Sequence, residues 1–168
     1  MPMHEYTFDS AHILQNALRD TYLARVYTTR TTSEAPFSRQ QTVLEHQPTS
    51  TEAVIDWQAK TFRIGTGAGT TKSVDSLKRS PTFSTSRYWR WGTGEEYKVK
   101  YSDGSWTVSS STGALIASLS SATEHIIRQN LNSLPVLRLA RTVADETQRQ
   151  FLILLLLYSE TRRIERQT

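Results

Sequence analysis

The hydrophobic pattern of this chain changes character near its end. Phe151–Tyr158 reads FLILLLLY, an unbroken apolar run between the polar stretches Asp145–Gln150 and Ser159–Arg163. As a helix, eight residues span only ~12 Å at 1.5 Å each, far short of the ~30 Å hydrocarbon layer of a bilayer. A helix apolar on every side must be surrounded by protein. Leucine favours helix, although a short apolar run also fits a buried central strand. Thr142-Val143-Ala144-Asp145 has the spacing of a capping box and predicts the helix start. Arg162, Arg163 and Arg166 suit the negative end of that helix's dipole.

Ahead of this run the pattern is one of short strands. Tyr22–Thr32, Gln41–Glu45, Leu115–Leu119 and Val136–Leu139 read as strands. Ser33–Arg39, with Pro36, reads as loop, and a turn surrounds Pro48. Glu52–Trp57 alternates, with Ala53, Ile55 and Trp57 on one face and Glu52, Val54 and Asp56 on the other. Gln58-Ala59-Lys60 turns the chain, and Thr61–Ile64 returns it with Phe62 and Ile64 on one face. Gly65–Pro81 is rich in Gly, Ser and Thr, with Val74 and Leu77 as its larger apolar residues, and reads as a long flexible surface loop. In Arg87–Trp91, Arg87, Trp89 and Trp91 share a face, while Tyr88 and Arg90 share the other. Glu96–Tyr101 points Tyr97, Val99 and Tyr101 inward and Lys98 and Lys100 outward. Asp103-Gly104 is a type I′ turn signal, because that turn needs positive φ. Ser105–Ser109 then returns with Trp106 and Val108 on one face. Thr123–Leu131 fits a short helix or an irregular connection.

Strands that surround a helix form a barrel. The expected fold is therefore mostly β: a single domain over residues 1–168, an antiparallel β-barrel of short strands around a buried apolar C-terminal helix, with a flexible loop at 65–81. The length allows one domain with a real core.

Composition narrows the function classes. With no cysteine, disulfides and thiolate metal sites are excluded. No apolar leader follows Met1 and there is no Asn-x-Ser/Thr sequon, so a cytoplasmic location is expected. The charge is uneven: residues 1–60 carry 5 Lys/Arg against 7 Asp/Glu, and residues 61–168 carry 15 against 9. A basic second half attracts phosphate, in nucleic acid or in anionic lipid.

The run of short strands, the cluster Tyr88-Trp89-Arg90-Trp91, the Asp103-Gly104 hairpin and the final apolar helix together resemble the tubby C-terminal-like fold. That fold also includes the LURP-one-related and scramblase-like proteins, and the likeness is greatest to the tubby-like proteins of mushroom-forming fungi. Asn16–Thr29, Ala53–Ile64, Tyr88–Ser120 and Leu134–Arg166 carry it, as a pattern without a sharp motif. The resemblance implies a barrel threaded by its C-terminal helix, with any site on the outer wall or in the loops. Tubby proteins bind phosphoinositides through a basic pocket, whose ligands have no residue-by-residue match here.

Candidate chemistry gathers in three places. Gly65-Thr66-Gly67-Ala68-Gly69-Thr70-Thr71-Lys72-Ser73 invites a phosphate-loop reading, but Thr71 stands where a Walker loop needs Gly, and no cofactor is expected. What remains is a loop offering backbone N–H groups and Lys72. Arg87–Lys100 interleaves basic and aromatic residues, the combination that holds phosphates and stacks unpaired bases. The expected phosphate or nucleic-acid ligands are Lys72, Lys78, Arg79, Arg90, Lys98 and Lys100. Finally, Glu146-Thr147-Gln148-Arg149 matches the Glu-x-x-Arg of ribosome-inactivating N-glycosylases. By that resemblance Glu146 would stabilise the developing oxocarbenium ion or orient water, Arg149 would help protonate the departing adenine, and Tyr88, Tyr97 or Tyr101 would stack on the base. The structural alternative is an i,i+3 ion pair, which Glu160-Thr161-Arg162-Arg163 repeats in the same chain. His4, His12, His46 and His125 show no metal-ligand spacing, and no metal is expected. Glu95-Glu96 would point to opposite faces of a strand.

Two functions are therefore expected. The sharper is an RNA-directed toxin, an rRNA adenine N-glycosylase acting on the ribosome. The other is a non-enzymatic membrane-surface or scaffold module that binds anionic phospholipid headgroups.

Overall fold

The apolar run determines the architecture. In the computed structural model, which describes residues 2–35, 38–67, 69–120 and 134–167, it lies in helix α2, Glu146–Arg166. Every residue from Phe151 to Tyr158 is at most 6% exposed. A flat sheet covers one face of a helix, so burial on all sides requires a sheet that curls around it.

That sheet contains β1 (Met3–Phe8), β2 (Asn16–Arg19), β3 (Arg25–Ala35), β4 (Ser38–His46), β5 (Thr51–Asp56), β6 (Thr61–Ile64) and β7 (Thr71–Ser73). After the short helix α1 (Val74–Leu77) come β8 (Lys78–Arg79), β9 (Arg87–Arg90), β10 (Glu96–Ser102), β11 (Ser105–Ser109), β12 (Leu115–Ser120) and β13 (Val136–Ala140). The thirteen strands form one sheet in the order β7-β6-β5-β4-β3-β2-β1-β13-β12-β11-β10-β9-β8. Each pairing is antiparallel, and the one long crossing joins β1 to β13.

The sheet is mostly β and antiparallel as expected, but its ladder does not close. It ends at β7 on one side and β8 on the other, and α1 fills the chain between them. This corrects the closed barrel at the level of hydrogen bonding: strands of three and two residues, spaced by a helical turn, do not pair across the gap. It also corrects the loop expected over 65–81. Ser73 caps α1, accepting from Ser76 N at 3.2 Å, and Val74 and Leu77 are buried. Those two isolated apolar residues were the signal of a buried turn.

Rings from distant strands pack against the helix. Phe151 meets Phe62, Trp89, Trp91 and Tyr97, and Tyr158 meets Trp57, Phe62 and Trp89, with centroids 5.5 to 6.5 Å apart. The Glu96–Ser109 hairpin forms as expected. Asp103 and Gly104 both take positive φ (54° and 76°), and Ser102 faces Ser105. Val99 and Val108 are buried, and Lys98 and Lys100 are exposed.

Several boundaries differ for identifiable reasons. The strand expected from Tyr22 begins at Arg25, because the Asp20 carboxylate accepts from Tyr22 N and Ala24 N (2.9 and 3.0 Å) and closes a turn. The loop expected over Ser33–Arg39 shrinks, since β3 runs to Ala35 and β4 starts at Ser38. Val54, expected outward, is buried between its register neighbours Val43 and Arg63. The capping box at Thr142 does not form: a turn ties Val143 N to Ala140 O, and Asp145 caps α2 by accepting from Thr147 N. Strand β1 has no counterpart among the expected elements. Thr123–Leu131 lies outside the described residues. Among the described residues, no helix is long and apolar enough to cross a membrane.

Candidate functional site

The two ends of α2 carry different chemistry. At its N-terminal end, Glu146 Oε1 accepts from Tyr27 Oη at 2.7 Å and from Gln150 Nε2 at 3.4 Å. His46 Nδ1 lies 3.8 Å from the same oxygen, and Arg149 lies 3.7 Å from Oε2. Arg149 is also tethered, donating from Nε to Val143 O at 2.6 Å. Tyr6 packs edge-on to Tyr27 at 5.6 Å, and His4 stacks on Tyr6 at 6.3 Å. Burial, then the Glu146 charge, pushes the Tyr27 phenol far above its ordinary range. Burial also raises Tyr6, and burial followed by Arg149 lowers His4. Glu146 and Arg149 therefore share a face, but the rings beside them are Tyr6 and Tyr27.

The tyrosines expected there lie elsewhere. Tyr97 comes nearest: it is 3% exposed, packs on Phe151 and donates to Gln148 Oε1 at 3.0 Å. Burial, then Glu95 and Asp145, pushes its phenol up to about 12. Tyr88 is on the outer wall, with the Arg79 guanidinium 4.2 Å over its ring. Tyr101 sits between Trp106 (5.1 Å) and Arg163 (4.5 Å), toward the other end of α2.

The expected phosphate ligands are scattered. Lys72 lies 5.4 Å over Trp91, near Arg90. Arg79 makes a bidentate pair with Glu96 (3.0 and 2.8 Å). Lys98 shares an outer groove with Tyr88, Arg90, Glu95 and Glu96, and Lys100 is exposed on the same strand. Lys78 alone of the six enters the cavity at the C-terminal end of α2.

That cavity has a volume of about 140 Å³, several times the ~30 Å³ share of one liquid water. Lys60, Lys78, Arg87, Arg162 and Arg166 line it against one acid, Asp75. Trp89, Val99, Trp106 and Tyr158 form its wall. The lining comes from the β5–β6 turn, α1, β8, β9, β10, β11 and the last turns of α2. Tyr158, Arg162 and Arg166 recur at i+4 and fall on one helix face.

Three observations bear on this place. Among the described residues, Lys60, Lys78, Arg87 and Arg166 form no ion pair, as is also true of Lys72, Arg90, Lys98 and Lys100 outside the cavity, while the fifth lining cation, Arg162, pairs with Glu165 at 3.2 Å. Lys78 is held below its ordinary value, first by burial and then by Arg87, with Arg166 and Arg162 adding to it and Asp75 opposing. Trp89, 2% exposed, has the only buried side-chain polar atom without a hydrogen-bond partner among the described residues, its indole Nε1. An unmet buried donor costs roughly 1–3 kcal/mol. Crowded cations are relieved by an anion with several acceptor oxygens. The helix C-terminus opposes an anion with about half a negative charge, which the four lining cations without an ion pair outweigh.

In the sequence Arg87 stands among the basic-aromatic residues and Arg162 and Arg166 as dipole partners, but no pattern joins them to Lys60 and Lys78. Among the described residues no group of three or more His, Asp or Glu is placed to hold a metal; His125 lies outside them. No family model, curated protein or solved structure matches this chain.

Proposed function

We propose that this protein is a non-enzymatic module of tubby-like barrel type that holds a phosphate-bearing headgroup, of phosphoinositide or other anionic lipid class, at a cytoplasmic membrane surface. The observation that carries the reading is the cavity that Lys60, Lys78, Arg87, Arg162 and Arg166 line against a single acid, Asp75, with the Trp89 ring in its wall. The tubby-like part is supported by α2, buried on every side within the curled sheet.

The test uses inositol trisphosphate and phosphatidylcholine vesicles with and without a phosphoinositide. The wild type should show a thermal upshift with the former and salt-sensitive binding to the charged vesicles. Lys60 and Arg166 are exposed, so Lys60→Glu with Arg166→Glu leaves the fold intact. This double variant should lose about tenfold or more in affinity, the scale expected when two charge-assisted hydrogen bonds are replaced by repulsion. Lys98→Glu with Lys100→Glu on the outer wall should bind as the wild type does; if it is the one that fails, the site is the outer groove. The pH dependence has a definite sign. A bound phosphate stabilises charged Lys78 and raises its depressed pKa, so binding takes up a proton and strengthens as pH falls toward the depressed value of the free protein, levelling off below it.

A second reading, the rRNA adenine N-glycosylase, draws support from Glu146 and Arg149 facing each other at 3.7 Å beside the Tyr6 and Tyr27 rings. On that reading, aniline treatment of rRNA from exposed ribosomes releases a single fragment, and Glu146→Gln abolishes it while the protein stays folded. Intact rRNA from several ribosome sources would remove the reading and leave the pair as a buttress of the helix start.

A further inference from the structure

We infer that the loop at residues 80–86 is a membrane-inserting tip, which drives the Phe83 ring into the nonpolar layer while the adjacent cavity takes a headgroup phosphate. This rests on the anion-site reading above and gives it an orientation: the C-terminal end of α2 faces the bilayer.

The loop is built to hold Phe83 outward. Phe83 is fully exposed at 105% and takes a φ of +65°. For a bulky residue that left-handed conformation is strained. A loop free to collapse would bury the ring and relax the backbone. Here Ser84 N donates to Pro81 O at 3.4 Å, and Ser86 N donates to Ser84 Oγ at 3.1 Å. Arg87 Nη1 donates to Ser84 O and Ser86 O at 3.2 and 3.1 Å. Arg87 thus fixes the loop and lines the cavity at once. The loop leaves the sheet after β8, which holds Lys78, and re-enters at Arg87, so both of its feet stand on cavity cations.

Neighbouring apolar exposure fits lipid better than nucleic acid. Leu134, just before β13, and Ile164, in the last turn of α2, are 38% and 41% exposed at this same end. Aliphatic side chains enter a bilayer but do not stack on bases. Single-stranded RNA needs successive open ring faces along a basic groove. The nearest rings at this end are taken, Tyr101 by Trp106 and Arg163, and Trp89 by Lys78 and Phe62. Tyr22 and Leu23 are also exposed, but on the β2–β3 turn at the opposite end, away from the cavity.

The test compares wild type, Phe83→Ser, Phe83→Trp and Leu23→Ser on phosphatidylcholine vesicles containing phosphatidylserine and a phosphoinositide, with inositol trisphosphate as the soluble probe. Phe83→Ser should lower vesicle affinity about tenfold, the scale of burying one aromatic ring, and leave the thermal shift with inositol trisphosphate unchanged. Phe83→Trp should shift its added emission to the blue on vesicles and be quenched by brominated acyl chains. Leu23→Ser should bind as the wild type does. If Phe83→Ser binds vesicles within twofold of wild type, or the emission added by Phe83→Trp is not quenched, the insertion is overturned while the anion site stands. If wild type shows neither the thermal shift nor vesicle binding, both fall. Loss of RNA binding in Phe83→Ser with vesicle binding untouched also overturns the insertion and assigns the ring to base stacking.

Discussion

Leu155→Asp yields a protein with no cooperative unfolding transition. Leu155 is 0% exposed, in the middle of an eight-residue stretch in which no side chain exceeds 6%. A carboxylate there meets apolar neighbours on its own helix and on the sheet around it. Burying an unpaired charge costs several kcal/mol at least, and protonating it still leaves an unmet polar group. A domain of this size is stable by only ~5–15 kcal/mol. The milder Leu155→Ala leaves a cavity and should cost about 2–5 kcal/mol, with a cooperative melt at lower temperature. Far-UV circular dichroism during heating separates the two. A sharp transition near the wild-type midpoint in Leu155→Asp would show that α2 does not organise the core.

The second large effect belongs to Glu160. It is 3% exposed, two residues beyond the apolar run. Its Oε2 accepts from Trp106 Nε1 at 2.6 Å and from Arg163 Nε at 3.1 Å, and its Oε1 accepts from Arg163 Nη2 at 2.6 Å. Arg163 is itself only 14% exposed at its side chain and covers the Tyr101 ring. Glu160→Ala removes the buried acceptor that two half-buried donors share, and breaking a largely buried pair from one side costs up to about 3–5 kcal/mol. Urea unfolding measures it. Glu160→Ala with Arg163→Met should be less destabilised than the two single losses added together, because the partner left behind is also removed. A single-variant loss under about 1 kcal/mol would mean that the pair behaves as an exposed one.

The pair at Glu160 shows how far the sequence could be read. Two Glu-x-x-Arg matches, at 146 and 160, look alike as strings. Only the surrounding sheet separates them, putting Tyr27 and His46 beside the first and Trp106 beside the second. The helix itself was legible because its apolar run admits no exposed face, and the Asp103-Gly104 hairpin because its φ demand is local. The open ladder was not legible: α1 is one turn long, and Val74 and Leu77 carry little periodic signal. The cavity was hidden for a different reason. Its cations are spread from Lys60 to Arg166 and are ordinary residues of turns, short strands and a helix end; they become a site only when the sheet wraps α2. Tyr88, Tyr97 and Tyr101 lie within one sequence segment, yet strand alternation and the length of β10 send them to three surroundings.

The gap between β7 and β8 bears on how such a molecule can assemble. Its central helix follows all thirteen strands in the chain. Were the sheet a hydrogen-bonded ring, the C-terminal segment would have to pass through a finished hoop. With the ladder unjoined at one seam and tethered there by a single helical turn, no threading is required. The two wings, already joined through α1, can close around α2 from either side like the covers of a book about its spine.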